Sequence, residues 1–265
     1  MKNHDPYLAL RFKEFNYFLL IRFLLVFGWS MQFIIVEWEV YNLTKDPLAL
    51  GLIGLVEIIP AISMSLFAGH IVDQKEKKKL FTIAIIAFLF ISVAFFSITT
   101  NYFYSNYSSK QVLTGIYILV FIGGFIRAFF GPIIFSLVAL IVSKNAYSNA
   151  ASWSSSTWQF ASVLGPAFAG FSIAWIGVNA SMGFVLISVF IALLLTYFIK
   201  KKPILNPKIG EPIIKSLKTG LRFVFKTKAI LIAITLDMVA VLFGGAIALL
   251  PIYAQDILNV GSQGF

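Results

Sequence analysis

Cysteine is absent from this 265-residue chain, which excludes disulfides and thiolate metal sites and leaves the redox compartment unreadable. Histidine is nearly absent. His4 and His70 stand far apart, with no metal-ligand spacing, so no metal is expected. Charge is scarce as well: 12% of residues, against about 25% in a soluble domain, too little to cover a water-facing surface. Acid is the scarcer sign, with 11 Asp and Glu against 21 Lys and Arg. No HExxH, Gly-x-Ser-x-Gly or paired-His pattern occurs, so neither an enzyme nor a cofactor is expected.

What remains is apolar. Hydrophobic residues make up 59% of the chain and gather in stretches long enough to cross a bilayer, which takes about 20 residues. Seven such spans are predicted: Tyr17–Leu43, Leu48–Val72, Leu80–Thr99, Val112–Val142, Ser152–Ile176, Val178–Ile199 and Ala229–Ala254. The expected fold class is all-α and polytopic.

The net charge of +10 does not point to nucleic acid, because the basic residues cluster between apolar runs and not along one face. Lys2, Arg11 and Lys13 precede the first span. Lys75, Lys77, Lys78 and Lys79 fall between the second and third, Lys144 after the fourth, and Lys200–Lys228 after the sixth. The alternate connections hold only Lys45 and Lys110. The positive-inside rule then predicts a cytoplasmic N-terminus in a plasma membrane protein, with polar Asn101–Ser109 as an external loop. The basic, Pro-containing stretch 200–228 reads as a cytoplasmic linker. Within it Ile213, Ile214, Leu217, Leu221 and Phe225 recur at helical spacing, the pattern of an amphipathic surface helix.

Several motifs carry a family resemblance. The second span runs into GHIVDQKEKKK, Gly69–Lys79, which resembles the signature loop of the major facilitator superfamily: glycine, apolar residues, aspartate, then basic residues. Gln74 replaces the usual first basic residue. ASVLGPAFAG, Ala161–Gly170, resembles the Gly-Pro motif of the family's exporters, and NAASWSSSTWQ (Asn149–Gln159) precedes it. EVYNLTKDPLALGLIGLVEIIP (Glu39–Pro60), IRAFFGP (Ile126–Pro132) and ALLPIYA (Ala248–Ala254) are similar to the enterobactin-exporter-like and macrolide-efflux-like branch. The resemblance implies twelve helices in the complete protein and proton-driven export of a small molecule. On that reading residues 1–199 form a six-helix lobe, 200–228 the linker, and 229–265 the first helix of a second lobe whose remainder is missing. It also implies a conformational latch at Gly69, Asp73, Lys77 and Lys78, with Asp73 at the cytoplasmic membrane edge and the lysines facing the anionic leaflet, and an exporter motif at Gly165, Pro166 and Gly170.

Charges inside spans are the remaining candidates, because one at a helix centre costs about 2.5–3.5 kcal/mol on insertion scales. Arg127 lies mid-span, with Gly123 and Gly131 on its face. Asp237 lies in the seventh span, Glu57 in the second, Glu37 and Glu39 in the first. The last two stand about 200° apart around a helix and cannot both face one cavity. These five are the expected substrate and proton pathway. Burial favours a neutral carboxyl and a neighbouring Arg the charged form, so proton and substrate can compete for one group. Trp29, Phe33, Trp38, Phe129, Trp153 and Trp158 are candidate apolar walls. Arg22, near the cytoplasmic end of its span, is expected to snorkel to headgroups. The expected partners are a small amphipathic molecule, protons and the bilayer. Alternatives are a seven-helix receptor or a non-transporting scaffold. The receptor is opposed by the orientation, and a retinal protein by the lack of lysine in the last span.

Overall fold

The computed structural model describes residues 5–204, 210, 212–243 and 258. Among them every regular element is helical. After a 3-10 turn at Leu8–Arg11 come α1 (Lys13–Thr44), α2 (Pro47–Gln74), α3 (Lys77–Ile98), the short α4 (Asn101–Asn106), α5 (Ser109–Ile141), α6 (Tyr147–Leu195), α7 (Ile213–Lys226) and α8 (Lys228–Phe243).

Local chemistry sets the boundaries. Lys45 ends α1 in the left-handed conformation, at φ 50°. Asp46 then starts α2: its carboxylate accepts from the Leu48 N–H at 2.9 Å, and Pro47 occupies the first turn, where its missing donor costs nothing. Glu76 caps α3 by accepting from the N–H groups of Lys78 and Lys79 at 2.9 and 2.7 Å. Ser108 and Gln111 form a capping box at the start of α5. The stretch expected as an external loop contains the helix α4.

Five helices are long and apolar enough to cross a membrane, and the last of them holds two expected spans. The 49-residue α6 is interrupted at Gly177, with φ 81° and ψ 171°, a region open essentially to glycine alone. Contacts on α1 show what happens there. A Cβ on Gly165 would meet Ser30 Oγ, the Phe27 carbonyl at 2.8 Å and the Met31 nitrogen at 3.1 Å; a Cβ on Gly28 would meet Ser188 Oγ at 2.7 Å. Gly165 and Ser188 thus sit on opposite sides of Gly177 yet press on one stretch of α1. Phe168 and Phe184 also meet, with ring centroids 5.2 Å apart. The chain reverses at Gly177, and residues 147–176 and 178–195 are two arms of a hairpin, matching the predicted fifth and sixth spans.

The six spans form one bundle. α1 packs chiefly on α6, α2 on α5, and α3 on both α5 and α6. Phe15, Phe18, Phe81, Ile85 and Phe88 are fully buried, and the rings of Phe18 on α1 and Phe81 on α3 lie 6.3 Å apart. Large apolar side chains also cover the outside. Phe90 is 71% exposed and Trp175 74%, a surface suited to lipid and not to water. The protein is an integral membrane protein.

Basic residues collect at one end. Glu14 bonds the Lys200 N–H at 3.0 Å and pairs with Lys202 Nζ at 2.7 Å, while Glu76 accepts the Lys202 N–H at 3.0 Å. The start of the linker is therefore tied to the bundle beside α1 and α3. Further along, the linker contains α7, whose Lys215, Lys218, Arg222 and Lys226 alternate with apolar residues. Ile214, Phe223 and Phe225 are exposed there; the Leu221 side chain lies outside the described residues. The expected seventh span is helical over α8. Its remainder, residues 244–254, lies outside the described residues and with it the ALLPIYA stretch.

Candidate functional site

A cleft of about 1190 Å³ opens between α1, α5 and the first arm of α6. Helix geometry creates it. Gly165 lets α6 touch α1 closely, and Gly124 lets α5 touch α2, since a Cβ there would strike the Glu57 carbonyl and lie 2.6 Å from Pro60 Cγ. Gly131 has no atom within 4 Å of where its Cβ would be, and it lines the opening. With α5 held to α2, and α6 to α1, a gap is left where α5 and α6 face each other. Pro166 and Ser162 line it from α6.

Trp29, Phe33, Phe88 and Phe130 form an apolar wall, and Trp158 lies opposite on α6. The Trp29 ring is 4.7 Å from Phe88 and 6.2 Å from Phe130. Of the other aromatic candidates, Trp38 is buried away from the cleft, and Trp153 Nε1 donates to the Pro6 carbonyl at 3.0 Å. Phe129 is not a lining residue.

The charged candidates separate into three places. Arg127 lines the cleft and pairs with Glu57 of α2, Nη1 to Oε1 2.9 Å; the Glu57 side chain is 9% exposed and the Arg127 side chain 58%. Glu37 is 1% exposed, its Oε2 has no hydrogen-bond partner among the described residues, and it lies close enough to Glu57 for the two charges to interact. These three residues form one electrostatic group behind the cleft wall. Glu39 points elsewhere: it is buried at the far end of α1 and accepts from the Tyr104 hydroxyl of α4. The hydroxyl of Tyr104 titrates well above its ordinary range, because burial and then the Glu39 acceptor both favour the neutral phenol. Asp237 is exposed on α8 and is not a lining residue.

The expected latch is differently arranged. Asp73 is exposed, but Lys77 is 6% exposed and turns inward instead of facing headgroups. Its Nζ donates to the carbonyls of Val72 at 2.5 Å, Asp73 at 3.1 Å and Lys75 at 3.0 Å, capping the C-terminal end of α2. Lys78 is half-buried, and Gly69 has open space where a Cβ would stand. Gly165 and Gly170 are both buried in the first arm of α6.

Arg22 also departs from expectation. The residue lines the cleft, and its Nε is buried without a partner among the described residues. Gly124 and Ser154 were not singled out from sequence. Gly124 adjoins Gly123, and only packing shows which of the pair meets α2; Ser154 lies in the serine run 154–156, which has no periodicity to pick out one member. Among the described residues no group of three or more His, Cys, Asp or Glu is placed to hold a metal.

The family model for the Major Facilitator Superfamily matches residues 18–265. No curated protein matches the chain.

Proposed function

The chain belongs to the Major Facilitator Superfamily, a family of membrane transporters, and from that premise we propose a proton-coupled exporter of small amphipathic molecules working by alternating access. The six-helix bundle is one lobe, and α8 begins the other. The observation that carries the reading is the Arg127–Glu57 pair with Glu37 beside it, set behind an open, mostly apolar cleft.

A buried carboxylate needs a neutralising partner, either a cation or a proton. In the described arrangement Arg127 serves Glu57. When a proton takes that place, Arg127 is released toward the cleft. Glu37, buried with one oxygen unpartnered, is the position from which the proton is exchanged. Protonation thereby changes the charge the pair presents to the cleft, and that change couples the movement of proton and substrate. The apolar wall of Trp29, Phe33 and Phe130 takes the body of the substrate. The basic end of the bundle is cytoplasmic and the membrane is the plasma membrane, in keeping with the positive-inside rule. Asp237, on the second lobe's first helix, contributes when the lobes close.

The test is the full-length protein in proteoliposomes under an imposed pH gradient. The probes are dansylglycine (anionic), dansylglycinamide (neutral) and dansylcadaverine (cationic). The expected result is accumulation of at least one probe that a protonophore abolishes. Glu37→Gln should reduce gradient-driven accumulation roughly ten-fold, a loss of about 1.4 kcal/mol, while keeping probe counterflow. Cells making the protein should retain less probe than cells without it. Accumulation indifferent to the gradient, or no transport of any probe, would sink the proposal.

A further inference from the structure

The ion pair leaves one cationic position in the cleft unused. Arg22 of α1 lines the cleft toward the basic end, with its Nε buried and unpartnered. Ser154, on the first arm of α6, lines the same cleft. It is 5% exposed, and its Oγ is also buried without a partner.

The two stand about one helical turn apart. The Ala9 N–H, just before α1, donates to Asn149 Oδ1 at 2.8 Å, and Gly165 presses on Phe27, Ser30 and Met31, so α1 and this arm of α6 run parallel. Arg22 lies seven residues before position 29, the middle of that contact, and Ser154 eleven before Gly165. A long side chain leaning toward the start of its own helix, as helical side chains do, spans that offset. Two buried hydrogen-bond donors, Arg22 Nε and Ser154 Oγ, therefore lie at neighbouring depths on two helices, with no partner for either among the described residues.

Among the described residues no Asp or Glu lines the cleft, and Glu57 already serves Arg127. A buried guanidinium Nε and a buried hydroxyl without acceptors are unfavourable unless an acceptor enters with the ligand. An oxyanion satisfies both: the guanidinium as a charge-assisted donor, the hydroxyl as a neutral one. Above this pair Trp29, Phe130 and Ile134 continue the lining as an apolar wall.

We infer that the cleft takes an amphipathic anion, its oxyanion head held between Arg22 and Ser154 and its apolar body against Trp29 and Phe130. This names the substrate class of the transport proposed above and rests on that reading. The same head group occurs on free carboxylates and on anionic lipids; the occupant assigned here is a free solute.

The test is equilibrium binding of the three dansyl probes to the full-length protein in phosphatidylcholine nanodiscs, with empty discs subtracted and no gradient applied. Dansylglycine should bind roughly ten-fold or more tightly than dansylglycinamide, the scale of one charged hydrogen bond. Arg22→Gln should abolish that preference, and Arg22→Lys should keep most of it. Ser154→Ala, a small change in a buried position, should weaken dansylglycine by about three-fold and leave dansylglycinamide unchanged. Equal binding of anionic and neutral probes, preference for dansylcadaverine, no saturable binding of dansylglycine, or an unchanged preference in Arg22→Gln each overturns the inference. Discs containing phosphatidylglycerol should give the same dansylglycine affinity; a ten-fold loss there would assign the site to a lipid headgroup and overturn the solute reading. Selective dansylglycine binding without gradient-driven uptake would leave this site standing and remove the transport proposal. Gradient-driven uptake with no charge preference would do the reverse.

Discussion

Arg127 of α5 and Glu57 of α2 are joined at 2.9 Å, and the two partners differ: the Glu57 side chain is buried, the Arg127 side chain more than half exposed beside the cleft. The asymmetry makes the two single substitutions unequal. Arg127→Gln strands a buried carboxylate and should lower stability by about 1–3 kcal/mol. Glu57→Gln leaves a cation that can reach water and should cost less. The double variant should regain most of the stability without regaining gradient-driven uptake. Thermal unfolding and uptake, measured on all three, check this. Full uptake in Arg127→Gln would remove the pair from the mechanism.

Gly177 is required by backbone geometry. At φ 81° and ψ 171° a side chain is strained, by about 1–3 kcal/mol. Gly177→Ala should lower the melting temperature although the site has open space for a Cβ. Gly131→Ala, with equal space and no positive φ, should be nearly neutral. Paired melting curves in detergent decide it. Equal effects would contradict the hairpin.

Lys77 and Lys78 should behave differently though they are neighbours in one basic run. Lys77→Met removes three donations to the end of α2 and should destabilise by about 1–2 kcal/mol. Lys78→Met should stay within about 0.5 kcal/mol. Matching losses would restore the lipid-facing reading for both.

Tyr104 makes stability sensitive to alkali. Its folded-state pKa is raised above the ordinary value near 10, so the folded protein holds the phenolic proton more tightly than the unfolded chain. The stabilisation is complete below about pH 10 and declines as pH rises further through the folded-state value. Tyr104→Phe should flatten the alkaline part of the melting profile and leave its shape below pH 9 unchanged. It should also weaken the tie between α4 and α1, read as faster hydrogen exchange in residues 101–106.

The helices themselves were legible because bilayer crossing imposes length and composition on each segment separately. Six spans lie near the residues predicted, and Gly177 falls in the single-residue gap between the fifth and sixth. The candidate site was only partly legible. Arg127, Glu57 and Glu37 stood out as intramembrane charges, which are conspicuous against an apolar background. Arg22 was read as a snorkelling residue, because its position near a helix end is the same whether the side chain points to headgroups or to a cleft. Lys77 was read as lipid-facing for a similar reason: a run of lysines does not reveal which one turns back onto a helix end.

By itself the sequence determined that the chain is an apolar helical protein with most of its basic residues gathered at one end and few charges within its spans, since each span must satisfy its backbone internally and bury no isolated charge in lipid. Tertiary structure alone decided which charges share a partner. Helix rotation and pairing set this, and they are fixed by close approaches such as Gly124 on Glu57 and Gly165 on α1. Those approaches bring Arg127 to a carboxylate 70 residues away in sequence, and leave Arg22 facing the cleft with a donor still to be met.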